Sequence, residues 1–362
     1  MKALAITSKG MEDVCAQEIN ELISVKTAIK PTVVLFDVKE IKDLCLLCYK
    51  SQSVSKILLL FGHCSSKDIQ NIKEPLQKAP LQDWFAGKSF RVSSEVIGAE
   101  QSTAEINEEV GGFILEKTDA KVDLTNPDVI LFVYVYEKNC YFGIDFAGFS
   151  LHKRSYKIFP HQRSLRGTIA YALVCWSGFG AGKTLLDPFV SDGVITIEAA
   201  LYASNKAVNF YQKEKFAFNK FIKYDFGAED SLTSGAHIMG LDTSWLCVNS
   251  SKKNAKIAGI NKLISLSRVD VDWLDVKFDE SSIDCIVSYP PQCSKQSDIK
   301  HLEKVYDKLF YQAEFILRKK GSVVLVTKKP EMLKQCAEKY HFKLKEERVI
   351  HSGKDELIVL IF

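Results

Sequence analysis

The sequence has no long apolar run. Its longest, VILFVYVY at residues 129–136, is the length of one β-strand and well short of the roughly 20 residues that cross a bilayer as a helix. The opening MKALAITSKGMEDV lacks the apolar core of a secretory signal. Together these absences speak against a membrane-spanning or exported class and leave the cytoplasm as the expected setting. Charge of one sign is missing too: 48 Lys and Arg stand against 45 Asp and Glu, a net +3. Any nucleic-acid contact must therefore come from local clustering rather than from an overall basic surface. The ten cysteines show no repeated spacing. Cys45-Leu-Leu-Cys48 is followed by neither a second pair nor histidines at zinc spacing, so no metal is expected. It lies in EIKDLCLLCYK, whose apolar residues recur at helical spacing, which puts both sulfurs on a buried helix face. Internal repeats and low-complexity tracts are also absent.

What is present is a chain of 362 residues, long enough for two or three domains. The first region, residues 1–66, alternates the strands KALAIT, TVVLFDV and KILLLFGH with the helices MEDVCAQEINELI and IKDLCLLCYK, a rhythm that resembles half of a split βαβ, ferredoxin-like sandwich. A softer stretch with Pro75 and Pro80 marks a boundary, and 67–150 forms a second α+β region. That region ends in a hairpin with arms Asp128–Tyr136 and Cys140–Phe146 around Glu137-Lys138-Asn139. A basic linker at 151–168 leads to 169–362, where apolar strands and helices alternate. That alternation asks for an open, mostly parallel sheet covered on both faces, an α/β doubly wound fold.

Within the last region, LLDPFVSDGVITIEAA puts Asp187 at a strand end, then a loop with one glycine, Gly193, then an apolar helix. Ligands of doubly wound sheets bind at such turns. The next strand ends in MGLDTS, where Asp242 could accept from both hydroxyls of a ribose. In VDVDWLD, Asp272 suits an adenine amino group, and Trp273 could cover the ring. A lone strand-end Asp is usually a turn former; three in succession would converge on one crevice. The following strand, IDCIVSYPP, stops at Pro290-Pro291, which lack N–H donors and form a rigid platform.

In this order these segments resemble the class I, Rossmann-fold methyltransferases that use S-adenosylmethionine. More narrowly, the chain resembles the THUMP-domain RNA guanine-N2 methyltransferases. GIDFAGFSLHKRSY (143–156), SLRGTIAYALV (164–174), KFAFNKFIKYDF (215–226) and VDLTNPDV (122–129) carry the likeness, which covers nearly the whole chain. It implies a Rossmann-like methyltransferase sheet preceded by ferredoxin-like and THUMP domains, with tRNA as the partner. Asp187, Phe189 and Gly193 would then contact the methionine part of the cofactor, Asp242 the ribose and Asp272 the adenine. Ser164, Leu165, Arg166 and Thr168 would close one side, with Ser191, Trp273 and Ser288 completing the cofactor set. Tyr289, Pro290, Pro291 and Gln292 would be the catalytic group, because in the family the first of these positions and a proline carbonyl hold the exocyclic amine. The chain departs from the family there: Tyr289 stands in place of Asn or Asp, and Gln292 in place of an aromatic. Ser191-Asp192 likewise alters the glycine loop. Either the roles are exchanged, or the chain is a THUMP-domain tRNA-binding protein with impaired chemistry. Arg91, His152, Lys153, Arg154, Lys157 and Arg163 are the expected RNA contacts. The rings of the 210–218 insert either stack on bases or pack against a sheet.

Overall fold

The computed structural model describes residues 1–65, 70–162, 164–227, 235–292, 299–353 and 355–362. Arg163, one of the expected RNA contacts, lies outside them. The chain forms two compact units: 1–7, 15–151 and 212–226 make the first, and 8–14, 152–211 and 227–362 the second.

The first half of the chain runs β1 (Lys2–Ile6), α1 (Glu12–Ile23), β2 (Thr27–Lys30), β3 (Val33–Asp37), α2 (Lys42–Lys50) and β4 (Lys56–Ser65). It continues through α3 (Gln70–Gln77), α4 (Leu81–Phe85), β5 (Ser89–Ile97), α5 (Thr103–Lys117), β6 (Lys121–Val122), β7 (Val129–Tyr136) and β8 (Asn139–Asp145). All eight strands share one sheet in the order β2-β3-β1-β4-β8-β7-β5-β6. The two N-terminal regions expected from the sequence are therefore joined, because β4 pairs antiparallel with β8 from Leu58↔Asp145 to Ser65↔Asn139. The β7–β8 hairpin closes with Tyr136 opposite Asn139, a two-residue turn in which Glu137 takes φ 51°. Asn139 thus belongs to the strand rather than the turn. Asp145, in the GIDFAG segment, ion-pairs with Lys56 and accepts from the backbone N–H groups of Ala147 and Gly148. α5 opens on a capping box formed by Ser102 and Glu105. Cys45 and Cys48 are buried on α2, where burial pushes the Cys45 thiol up to about 12. Phe216 and Phe218 of the insert are buried and stacked 4.8 Å apart, and Phe218 reaches Phe146. For these two rings the packing role is the one the structure shows.

The second half comprises α6 (Gly167–Trp176), β9 (Thr184–Asp187), α7 (Val194–Ala203), β10 (His237–Asp242), α8 (Trp245–Ala258), β11 (Ile264–Arg268) and α9 (Leu274–Lys277). After these come β12 (Ile283–Ser288), α10 (Ile299–Ile316), β13 (Leu317–Thr327), α11 (Glu331–Lys339), β14 (Glu346–Ser352) and β15 (Asp355–Ile361). The sheet order is β11-β10-β9-β12-β13-β15-β14, parallel throughout except that β15 runs against both its neighbours. The chain steps outward from β9 to β11, then crosses back to lay β12 beside β9. That reversal is the switch point at which doubly wound sheets open a crevice beyond their carboxyl ends. Alternation along β12 shows both faces to be covered: Cys285 and Val287 pack with Ile169, Ile197 and Ala255, and Ile286 with Leu309, Phe310 and Leu333. β11 stops at Arg268, short of the VDVD run whose Asp272 the sequence puts at a strand end, because the Asp270 side chain accepts from Asp272 N–H and caps a 3-10 turn at Val271–Trp273.

Candidate active site

The loop after β9 is held from three sides. Asp187, at the strand end, is buried, and its Oδ1 accepts from Phe189 N–H at 3.1 Å and from the Ser288 hydroxyl at the end of β12. Ser191 sits at φ 54° and Gly193 at φ 85°, the left-handed region. A Cβ on Gly193 would meet the Ser251 Cβ at 3.0 Å, so the turn into α7 requires glycine both conformationally and sterically. Asp242 Oδ2 accepts from Ser191 N–H at 3.1 Å and its Oδ1 from Ser244 N–H at 2.9 Å. From α8, Ser251 Oγ donates to the Ser191 carbonyl and Asn254 Nδ2 to the Asp192 carbonyl, each at 2.9 Å. Neither α8 residue carries a motif that marks it in the sequence.

Ser164 to Thr168 lie against this loop. The Ser164 hydroxyl donates to Asp192 Oδ2, and the Leu165 carbonyl accepts from Lys157 Nζ. Arg166 is the N-cap residue of α6, and Thr168 is buried in its first turn. Three buried polar atoms here, Thr168 Oγ1, Ser191 Oγ and Asp192 Oδ1, have no hydrogen-bond partner among the described residues. Such orphans are uncommon in proteins and need a reason.

Arg154 is not the phosphate contact that its basic neighbourhood suggested. Its side chain is 1% exposed, with Nε and Nη2 on the two oxygens of Glu198 at 2.7 and 3.1 Å. The Tyr156 hydroxyl donates to the same carboxylate at 2.6 Å, and burial holds that phenol well above its ordinary range. A buried charge needs a partner, and Glu198, the acid of IEAA in α7, needs this one. Lys157 is also turned inward, and burial lowers its ammonium. Lys153 is exposed and His152 half-buried. Arg91, in the first unit, donates through Nη1 to the Leu124 carbonyl at 2.9 Å.

Beyond β10 and β11 lies a cleft of about 650 Å³ lined by Thr243, Arg268, Val269, Asp270, Trp273 and Val276 among others. Trp273 lines it and is 60% exposed. Asp272 does not line it: its carboxylate turns away to Lys308 on α10. The acid that lines the cleft is Asp270, two residues earlier in the same VDVD run.

At the end of β12, Tyr289 packs beside the core and Pro290-Pro291 follow. Gln292 has no free acceptor for a substrate N–H. Its Oε1 already accepts from Thr327 Oγ1 at 2.9 Å and Lys328 N–H at 3.0 Å, while its Nε2 donates to the Pro290 carbonyl at 2.8 Å. The exchange of roles between Tyr289 and Gln292 is thus excluded in this arrangement. The Pro291 carbonyl accepts from Tyr306 of α10.

Residues 154–358 match the family model described as RMKL-like, methyltransferase domain, and residues 66–145 match that of the THUMP domain. The chain belongs to the RMKL-like methyltransferase-domain family. Among curated proteins it is 33% identical over 237 residues to a tRNA (guanine(6)-N2)-methyltransferase of Methanocaldococcus jannaschii, a match spanning 63% of this chain and 61% of that one. It is 22% identical over 367 residues to the Archaeoglobus fulgidus protein of the same name, covering 99% of this chain and 91% of that one. Among solved structures, TrmN from Thermus thermophilus superposes with TM-score 0.73 at 20% identity, covering 99% of this chain and 98% of that one. SMU.472 in complex with SAH gives 0.81 at 18% identity, covering 100% and 97%. The likeness in fold therefore runs the whole length of the chain.

Proposed function

We propose that this protein transfers a methyl group from S-adenosylmethionine to the exocyclic N2 of a guanine in tRNA. The observation that carries the reading is convergence: the Asp187–Gly193 loop, Asp242, Asp270 and Pro290-Pro291 all stand at the carboxyl ends of strands flanking one switch point. The names of the relatives supply guanine N2 and tRNA, and a THUMP domain accords with an RNA partner. Among the described residues no helix is long and apolar enough to cross a membrane, which is compatible with work in the cytoplasm on free tRNA.

The residues fit the cofactor. Thr168, Ser191 and Asp192 carry the unpartnered polar atoms that a zwitterionic amino-acid tail would satisfy. Asp242 would hold the ribose hydroxyls, and Asp270 with Trp273 the adenine, in the cleft beyond β10 and β11. When bound, the cofactor supplies an electrophilic methyl group on a positively charged sulfur. The chain's own contribution is to place the nucleophile. A guanine amine is a poor nucleophile because its lone pair is delocalised into the ring. An N–H held by the Pro290 carbonyl, which keeps a second lone pair beside its bond to Gln292, favours the pyramidal nitrogen that can attack. Acid–base help is small, and positioning supplies the rate, on the order of a hundredfold per 1 Å of placement. The test is methyl transfer from labelled cofactor to unmodified tRNA, followed by nucleoside analysis. N2-methylguanosine is the expected product; label in another nucleoside, or tRNA bound without label transferred, refutes the reading.

A further inference from the structure

Two consecutive prolines give a strand end no backbone donors, so the ladder cannot fix the carbonyls that follow it. In this protein side chains do so instead. Gln292 bridges the Pro290 carbonyl to the end of β13, through Thr327 Oγ1 and Lys328 N–H, and Tyr306 holds the Pro291 carbonyl. The amide can point only one way. Reversed, it would face Lys328 N–H with an NH2 and the Pro290 carbonyl with a C=O, turning two attractive contacts repulsive. Thr327 is fully buried and Tyr306 nearly so, and both sit on regular elements, so the anchors are rigid.

We propose that Gln292 is a positioning residue: it sets the direction of the Pro290 carbonyl for the target amine, with Tyr306 doing the same for the next peptide. Position 292 has thus exchanged a stacking wall for a hydrogen-bonded clamp. The base is placed by the carbonyl and not by an aromatic at this position. This rests on the proposed function for the identity of the substrate, and on the hydrogen bonds of Gln292 alone for the clamp.

Two measurements test it. The first is methyl transfer to tRNA by Q292F, Q292E and Y306F, with kcat and KM separated. Q292F removes both bridges and should lower kcat by about 10–100-fold while KM for tRNA stays within about threefold. Q292E keeps the acceptors for Thr327 and Lys328 yet opposes the Pro290 carbonyl with an oxygen, so it should fall with Q292F. A residue that merely tied the loop to β13 would be rescued by Q292E. Equal or higher kcat in Q292F or Q292E overturns the proposal. The second is a urea-denaturation cycle of Q292A, T327V and the pair, which needs no activity. The double variant should be no less stable than the worse single one, and additive losses overturn the clamp. If the wild type transfers no methyl, the functional reading fails while the cycle still decides the clamp.

Discussion

The two ends of the crevice differ in how their polar atoms are accounted for. At the glycine loop, three buried polar atoms on Thr168, Ser191 and Asp192 lack partners among the described residues. At the Pro-Pro platform both proline carbonyls and both ends of the Gln292 amide are bonded to protein. An unpaired buried group costs about 1–3 kcal/mol, so the first arrangement is stable to the extent that something else completes it. The second is complete in itself and therefore stiff. On the proposed reading, a site that takes up and releases a polar cofactor is served by groups waiting for partners, and a platform for the base by groups that cannot move. The departures from the family pattern fall on both ends with opposite effect: Ser191-Asp192 adds unmet polar atoms, and Gln292 adds bonds.

The largest expected effect comes from undermining the loop from beneath. Arg154→Ala leaves the buried Glu198 side chain of α7 without the guanidinium that both its Oε1 and Oε2 contact. Breaking such a pair costs about 3–5 kcal/mol, to be read from urea denaturation, and an unchanged midpoint would mean that the pair contributes nothing to stability. Next is Asp242→Asn, which removes the charge that organises the loop and that, on the proposed reading, would hold the ribose. Hydrogen bonds to a charged group are worth about 1.5–3 kcal/mol, which corresponds to about 10–100-fold weaker binding of S-adenosylhomocysteine by calorimetry. Ser191→Gly sharpens the contrast between the two ends. It relieves a left-handed φ of 54° and deletes an unpaired hydroxyl, against a glycine entropy cost of about 0.5–1 kcal/mol. The protein without ligand should gain about 1 kcal/mol while its affinity for S-adenosylhomocysteine falls. A gain in both quantities would show that the hydroxyl does not serve the ligand.

Much of this site was legible in the sequence, and the failures share a cause. Asp187 and Asp242 stand out in the sequence because each terminates a short apolar strand, and both do stand at strand ends. The alternating VDVD of residues 269–272 cannot say which acid caps the turn and which faces out, because that depends on where β11 stops. Arg154 looked like surface charge because its partner, Glu198, lies 44 residues later in an apolar helix. The pairing of β4 with β8 joins segments about 80 residues apart, so no local pattern reveals that one sheet crosses the boundary near residue 66. Gln292 was read by residue type alone. Type gives a donor and an acceptor, but only the neighbouring end of β13 shows that both are already committed.

The smallest expected effect is also the sharpest test of that reading of VDVD. Asp270→Asn should keep the turn, since Asn caps a helical turn about as well as Asp and Asp272 N–H still finds an acceptor. It should weaken nucleoside binding by only about 3–10-fold, because a neutral amide oxygen still accepts from an adenine amine, though less strongly than a carboxylate. Asp272→Asn breaks a half-exposed pair with Lys308, of the kind that contributes little, and should leave the affinity for S-adenosylhomocysteine where it was. If the two substitutions trade places, with Asp272→Asn weakening binding and Asp270→Asn silent, the side chain that now reaches Lys308 must swing into the cleft on binding. The glycine-loop end would then be less preformed than the Pro-Pro end in its packing as well as in its polar partners.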